Sequence, residues 1–137
     1  MSNLILIKSL NKGWQKFFVQ NTKISVIVEK DRETGLVSIA EENNIVDSEL
    51  GYKLMECILR KYPNRLFVFC LDDKLKAIYE KLGLNKKEEK DYSIYYNIKD
   101  YSLLMYRVVL DYNKLVYKYN NTHGKKEKLD KYIYKKF

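Results

Sequence analysis

At 137 residues and 16.5 kDa, the chain has room for one domain with its own core and not for two of ordinary size. Its 46% apolar and 14% aromatic content excludes a disordered or collagen-like chain. With 26 Lys+Arg against 18 Asp+Glu the formal charge is +8, and no apolar run approaches the ~18 residues of a membrane span. Met1–Leu10 lacks a basic start followed by a long apolar stretch, so a cytoplasmic protein with no membrane partner is expected. Cys57, Cys70 and His123 do not sit at ligand spacing, and a closed zinc site needs about four ligands, so no metal site is expected. Only Arg32, Arg60, Arg65 and Arg107 are arginines, against 22 Lys and 13 Tyr. That skew fits an AT-rich coding sequence and weakens the inference from basic charge to a polyanionic partner.

Leu4–Ile7 reads as a short strand. Leu10, Trp14, Phe17 and Phe18 then recur at i, i+4, i+7 and i+8, which predicts an amphipathic helix capped by Ser9. Ile24–Glu29 and Leu36–Ala40 read as two strands of an antiparallel hairpin joined by Lys30–Gly35. Asp47–Tyr62 carries an apolar stripe of Leu50, Leu54, Ile58 and Leu59, with Asp47 or Ser48 as N-cap, and predicts a helix ended by Pro63. Leu66–Cys70 is apolar throughout, as suits a strand covered on both faces. Asp72 or Asp73 caps a second helix with Leu75, Ile78, Tyr79 and Leu82 on one side, and Gly83 is placed to end it. Tyr92–Ile98 and Leu103–Leu110 read as two β-rich runs forming a hairpin around Lys99-Asp100. A β-α-β-α-β-β order around a buried central strand implies an α/β or α+β sandwich.

Asp111–Phe137 differs in character. It holds eight Lys, two Asp and one Glu, so it carries +5 of the net +8, with amphipathic patterns at Tyr112, Leu115, Val116 and Tyr119 and at Leu129, Tyr132 and Ile133. The expected division is a domain over residues 1–110 and a basic, helical, Lys/Tyr-rich extension over 111–137. Lysines that contact phosphates and tyrosines that stack on bases would let this extension engage nucleic acid, and it is equally suited to an acidic protein surface.

The stretch from Leu66 to Val109 resembles the second half of a GNAT-type N-acetyltransferase. A buried strand, Leu66–Leu71, leads through Asp72-Asp73 into a helix ending Ala77-Ile78-Tyr79-Glu80-Lys81-Leu82-Gly83-Leu84. Tyr95-Tyr96 followed by Leu103-Leu104-Met105 is similar to that family's closing hairpin. The resemblance implies a mixed central sheet flanked by helices, acetyl-CoA as acetyl donor, and an amine acceptor that is either a small molecule or a protein. It implies Tyr79 as the acid that protonates the departing thiolate, for which a phenol of pKa near 10 is suited. Glu41 or Glu42 stands where a base for the amine would lie, and Glu41 is the primary candidate. Main-chain groups of Ile39-Ala40 would hold the pantetheine, and Asp72 falls where the family often has an Asn touching it.

In the same family a basic or amide residue and two glycines open the first long helix, where N–H groups and the helix dipole bind pyrophosphate. Here Val46-Asp47-Ser48-Glu49-Leu50-Gly51 occupies that place. Gly51 matches the last position, Glu49 replaces the first glycine, and Val46 replaces the basic residue. Ser48, Glu49, Leu50 and Gly51 are thus the candidate pyrophosphate residues. The Glu49 carboxylate favours an alternative: a catalytically inactive GNAT-like binding module that engages nucleic acid or protein through its basic surface. Each of the chemistry-bearing residues also has a structural role available: Tyr79 in a core, Asp72 as a cap, Glu41 and Glu42 in a solvated turn, Cys57 and Cys70 as small core residues.

Overall fold

A computed structural model of the chain describes residues 4–46, 48–111 and 116. Among the described residues the fold is mixed α/β: seven strands in one mixed sheet, with three helices. In chain order these are β1 (Ile5–Ser9), β2 (Trp14–Val19), β3 (Ser25–Lys30), β4 (Val37–Asn43), α1 (Glu49–Lys61), β5 (Leu66–Cys70), α2 (Asp73–Lys81), β6 (Asn85–Glu88), β7 (Ser93–Tyr96) and α3 (Tyr101–Leu110). The sheet order is β1-β2-β3-β4-β5-β7-β6. Every neighbouring pair is antiparallel except β4 and β5, which α1 joins by a crossover.

The sheet is covered on both faces, as the apolar sequence of β5 requires. Leu66, Val68 and Cys70 of β5 join the core beneath α1 and α2, which includes Leu54, Met55, Ile58 and Tyr79. Phe67 and Phe69 point the other way, into a second core with Ile94, Leu104 and Val108 beneath α3. No helix among the described residues is long and apolar enough to cross a membrane.

Two expectations are overturned. The helix expected from Leu10 to Phe18 is instead a hairpin turn and a strand. Leu10 N–H donates to the Trp14 carbonyl at 3.1 Å, and the three intervening residues end in Gly13 at φ 83°. That is the three-residue hairpin loop whose last residue must adopt the left-handed conformation. Beyond it Phe17 and Val19 face the α1 side while Lys16 and Phe18 alternate to the other, so the period of two wins over the coincidental period of 3.6.

The closing hairpin is also relocated. β7 pairs with β6, a strand reading Asn-Lys-Lys-Glu that carries no apolar signal, and Leu103–Met105 lies in α3 rather than in a strand. Asp100 caps α3 by accepting the Leu103 N–H at 3.1 Å. Leu104, Arg107 and Val108 form its buried face at i, i+3 and i+4, and the charge on Arg107 disguises this helical stripe. The extension expected over residues 111–137, His123 included, lies outside the described residues apart from Asp111 and Val116, as does Asp47.

Candidate functional site

The parallel pair sets the site. β4 and β5 pair over Val37–Ile39 and Leu66–Val68, and there their ladder ends, although β4 runs on to Asn43 and β5 to Cys70. The cause lies on the other side of β4. Ile27 pairs with Glu41 but Val28 with Ile39, so Ala40 is an extra residue, a β-bulge that bends the strand. Ile39 and Ala40 therefore sit where the strands part. Because β4 and β5 run the same way, α1 and α2 both start from this end of the sheet, the place where ligands enter open α/β sheets.

The bulge also decides which acid faces inward. Without it Glu41 would follow Val37 and Ile39 onto the α1/α2 face. With it, Glu42 lies opposite Val26 on that face, and Glu41, opposite Ile27, is turned to the other and exposed. The Glu42 carboxylate accepts a hydrogen bond from the Tyr79 hydroxyl at 2.6 Å. Glu41 and Tyr79, the two candidate catalytic residues, are thus placed on opposite faces of the sheet.

Tyr79 is fully buried. Its ring packs on Tyr95 of β7 with centroids 5.5 Å apart, while its hydroxyl reaches Glu42 on β4. Since β5 lies between β7 and β4, the phenol crosses the end of β5 at the point where β4 diverges from it. Burial, followed by the negative charge of Glu42, holds its pKa well above that of a free phenol. Tyr95 makes a matching bond, its hydroxyl 2.7 Å from Glu80, and Glu80 is 3.3 Å from the Lys86 ammonium. Burial and this bond raise Tyr95, while the same hydrogen bond, with Lys86, lowers Glu80.

At the start of α1 the Ser48 hydroxyl accepts the Gly51 N–H at 3.1 Å, an ordinary N-cap. Glu49 is exposed and lies 3.5 Å from Lys53, one turn on. Leu50 is half-buried against the core. Gly51 has a structural cause of its own: a Cβ there would lie 2.4 Å from the Ile45 carbonyl oxygen. Only glycine lets the β4–α1 loop cross the helix so closely. Asp72 is an exposed cap of α2, its carboxylate accepting the Lys74 N–H at 2.7 Å. Cys70 is buried, its thiol donating to the Asp72 carbonyl at 3.4 Å, and Cys57 is half-buried; neither is in a disulfide.

Sequence reasoning missed the Tyr95–Glu80 pair and a buried arginine. Arg107 lies under the sheet with Asp111 at 2.9 Å, the Leu36 carbonyl at 3.0 Å and the Phe67 ring at 5.4 Å. Its signal was one Arg within an otherwise apolar run from Leu103 to Leu110.

No family profile, curated protein or solved structure matches the chain.

Proposed function

We propose that the chain is a divergent GNAT-like N-acetyltransferase of the cytoplasm, which transfers the acetyl group of acetyl-CoA to an amine. The observation that carries this reading is the Tyr79 hydroxyl, held by Glu42 over the end of the one parallel strand pair, where β4 and β5 part. Around it the residues fit the donor in part. Main-chain groups of Ile39 and Ala40 lie at the divergence for a pantetheine arm, and the Glu49 and Leu50 N–H groups lie at the α1 N-terminus for a pyrophosphate. The Glu49 carboxylate opposes that pyrophosphate.

On this reading the amine nitrogen attacks the thioester carbonyl, forming the amide C–N bond as the C–S bond breaks. Glu42 takes the nitrogen's proton, and Tyr79 gives its own to the departing sulfur. Glu42 then returns a proton to the phenolate across the 2.6 Å bond, which restores both groups. Glu42 replaces Glu41 as base because it alone of the two lies on the Tyr79 face. Release of free thiol from acetyl-CoA in the presence of primary amines is the test. Tyr79→Phe is expected to slow it by roughly 10²–10⁴, the range for loss of a general acid. Equal rates in the wild type and Tyr79→Phe would defeat the assignment.

A second reading, an inactive GNAT-like module that binds nucleic acid or an acidic protein through its basic surface, is favoured by Gly51. Its missing side chain is accounted for by Ile45 and needs no phosphate. Retention on nucleic acid, with a steep loss as salt rises and no response to acetyl-CoA, would select this reading.

A further inference from the structure

The two outer strands of the sheet are guarded differently. β6 reads Asn-Lys-Lys-Glu, a short, charged edge of the kind that resists further pairing. β1 reads Ile-Leu-Ile-Lys-Ser, and Lys8 is its one charge. Its register with β2 is unbroken from Ile5↔Val19 to Ser9↔Gln15, so no bulge protects it, and the chain's single proline is Pro63. Leu4, Leu6, Ile7 and Leu10 are 57, 36, 46 and 42% exposed, half of the large apolar side chains left exposed among the described residues.

The backbone says what can cover this edge. Gln20 N–H donates to the Leu4 carbonyl at 2.8 Å, and Leu10 N–H to the Trp14 carbonyl at 3.1 Å. In an antiparallel ladder the direction alternates, so residues 4, 6, 8 and 10 turn their backbone groups toward β2. Ile5, Ile7 and Ser9 turn theirs outward. Three N–H groups and three carbonyls in extended geometry are satisfied together by another strand, and not by a helix or an apolar surface.

We propose that β1 is a homodimer interface, where two copies of this chain pair their β1 strands antiparallel about a two-fold axis at Ile7. In that register Ile7 meets Ile7 of the second copy and Ile5 meets Ser9, so every outward backbone group of the strand finds a partner. Leu4 falls opposite Leu10, joining apolar side chains that are otherwise exposed. Lys8 falls opposite Leu6, so the two ammonium groups do not face each other across the axis. A shift that places Ile5 opposite Ile7 leaves the outward groups of Ser9 beyond the reach of the strand. The surface is self-complementary, as a two-fold contact must be.

Sedimentation of the full chain at micromolar concentration is expected to show a species of twice the 16.5 kDa chain mass. Ile7→Pro removes an N–H that points away from β2, and Ile7→Lys adds an edge charge; either is expected to give the single-copy mass with an unchanged circular dichroism spectrum. Ile7→Cys tests the register without weakening the edge. Residue 7 pairs with itself at a Cα separation of about 5.5 Å, within disulfide range, so mild oxidation should yield a covalent dimer, while Ser9→Cys and the wild type should not. A wild-type chain that sediments as one copy, a dimer that persists in Ile7→Lys, or equal cross-linking of Ile7→Cys and Ser9→Cys would each overturn the proposal. Should both edge variants fail to fold, the cross-linking result decides.

Discussion

The Tyr79 hydroxyl and the Glu42 carboxylate lie 2.6 Å apart, although 37 positions separate them in the chain. One extra residue, Ala40, makes the bond possible by shifting the β3–β4 register and turning Glu42 rather than Glu41 toward α2. The β4–β5 ladder ends at Ile39, beside the same bulge. The buried phenol–carboxylate pair and the end of the parallel ladder thus meet at one bulge.

Stability should follow that facing. A hydrogen bond to a charged group contributes about 1.5–3 kcal/mol, so Tyr79→Phe is expected to destabilise the fold by an amount in that range. Glu42→Gln, which keeps an acceptor, should cost less than Glu42→Leu. Glu41→Gln, at an exposed position, should stay within about 0.5 kcal/mol. Urea denaturation of the four variants measures the order. A cost for Glu41→Gln equal to that of Glu42→Gln would contradict the assigned register.

Much of this was legible in the residues, because β5, α1, α2 and the β3–β4 hairpin have single, uncontested patterns. The all-apolar run Leu66–Cys70 admits one structure, and each helix start was legible to within one residue: Ser48 rather than Asp47 and Asp72 rather than Asp73 are the caps. The failures have physical causes. Gly13 supplies a turn inside what reads as a helical stripe, β6 carries its strand in backbone pairing with no apolar side chains, and Arg107 places a charge on the buried face of α3. The choice between Glu41 and Glu42 hangs on a bulge, and a bulge at Ala40 leaves no mark in composition or period.

Alkaline pH offers a second measurement. Burial and Glu42 raise the Tyr79 pKa, and burial with the Glu80 bond raises that of Tyr95. A group whose folded pKa is raised favours the fold while protonated. That contribution is complete below the ordinary phenol value near 10 and is lost as pH climbs past it toward the folded value. Ultraviolet titration of phenolate is expected to show tyrosines that ionise only with alkaline unfolding, one fewer in Tyr79→Phe. Ionisation of all tyrosines in a single step near pH 10, with the fold intact, would contradict the burial of this pair.

Arg107 draws three carboxylates together under the sheet. Besides Asp111 it has Glu29 and Asp31 at 3.9 Å, and it donates to the Ser38 hydroxyl at 3.4 Å. Burial raises the Asp111 pKa even beside this guanidinium. Arg107→Ala removes the guanidinium from the buried Asp111 carboxylate and is expected to cost about 3–5 kcal/mol, whereas Arg107→Met with Asp111→Leu should recover most of it. Denaturation midpoints of the single and double variants measure the difference. A double variant no more stable than Arg107→Ala would show that the network contributes packing and not charge balance.

The helix start separates structure from ligand. Gly51→Ala forces a Cβ against the Ile45 carbonyl oxygen, 2.4 Å away, and is expected to destabilise the protein by about 1–3 kcal/mol whether or not a ligand binds. Glu49→Gly removes an exposed carboxylate and its ion pair with Lys53. A charge at a helix N-terminus is worth about 0.3–1 kcal/mol, so the substitution should tighten coenzyme binding roughly two- to fivefold. Thermal melts of the free protein and titration of both variants distinguish these effects, and weaker coenzyme binding by Glu49→Gly would show that the pyrophosphate does not lie at this helix.

Calorimetric titration of the full chain with acetyl-CoA tests the central claim most directly. One site per chain is expected, with binding retained in Tyr79→Phe because that hydroxyl acts on the leaving sulfur. The melting temperature should rise as well, since a ligand at 100 times its dissociation constant adds about 2.7 kcal/mol of stability. Absence of both heat and a melting shift at millimolar acetyl-CoA would contradict the acetyltransferase account and leave the Tyr79–Glu42 pair as a structural feature of the core.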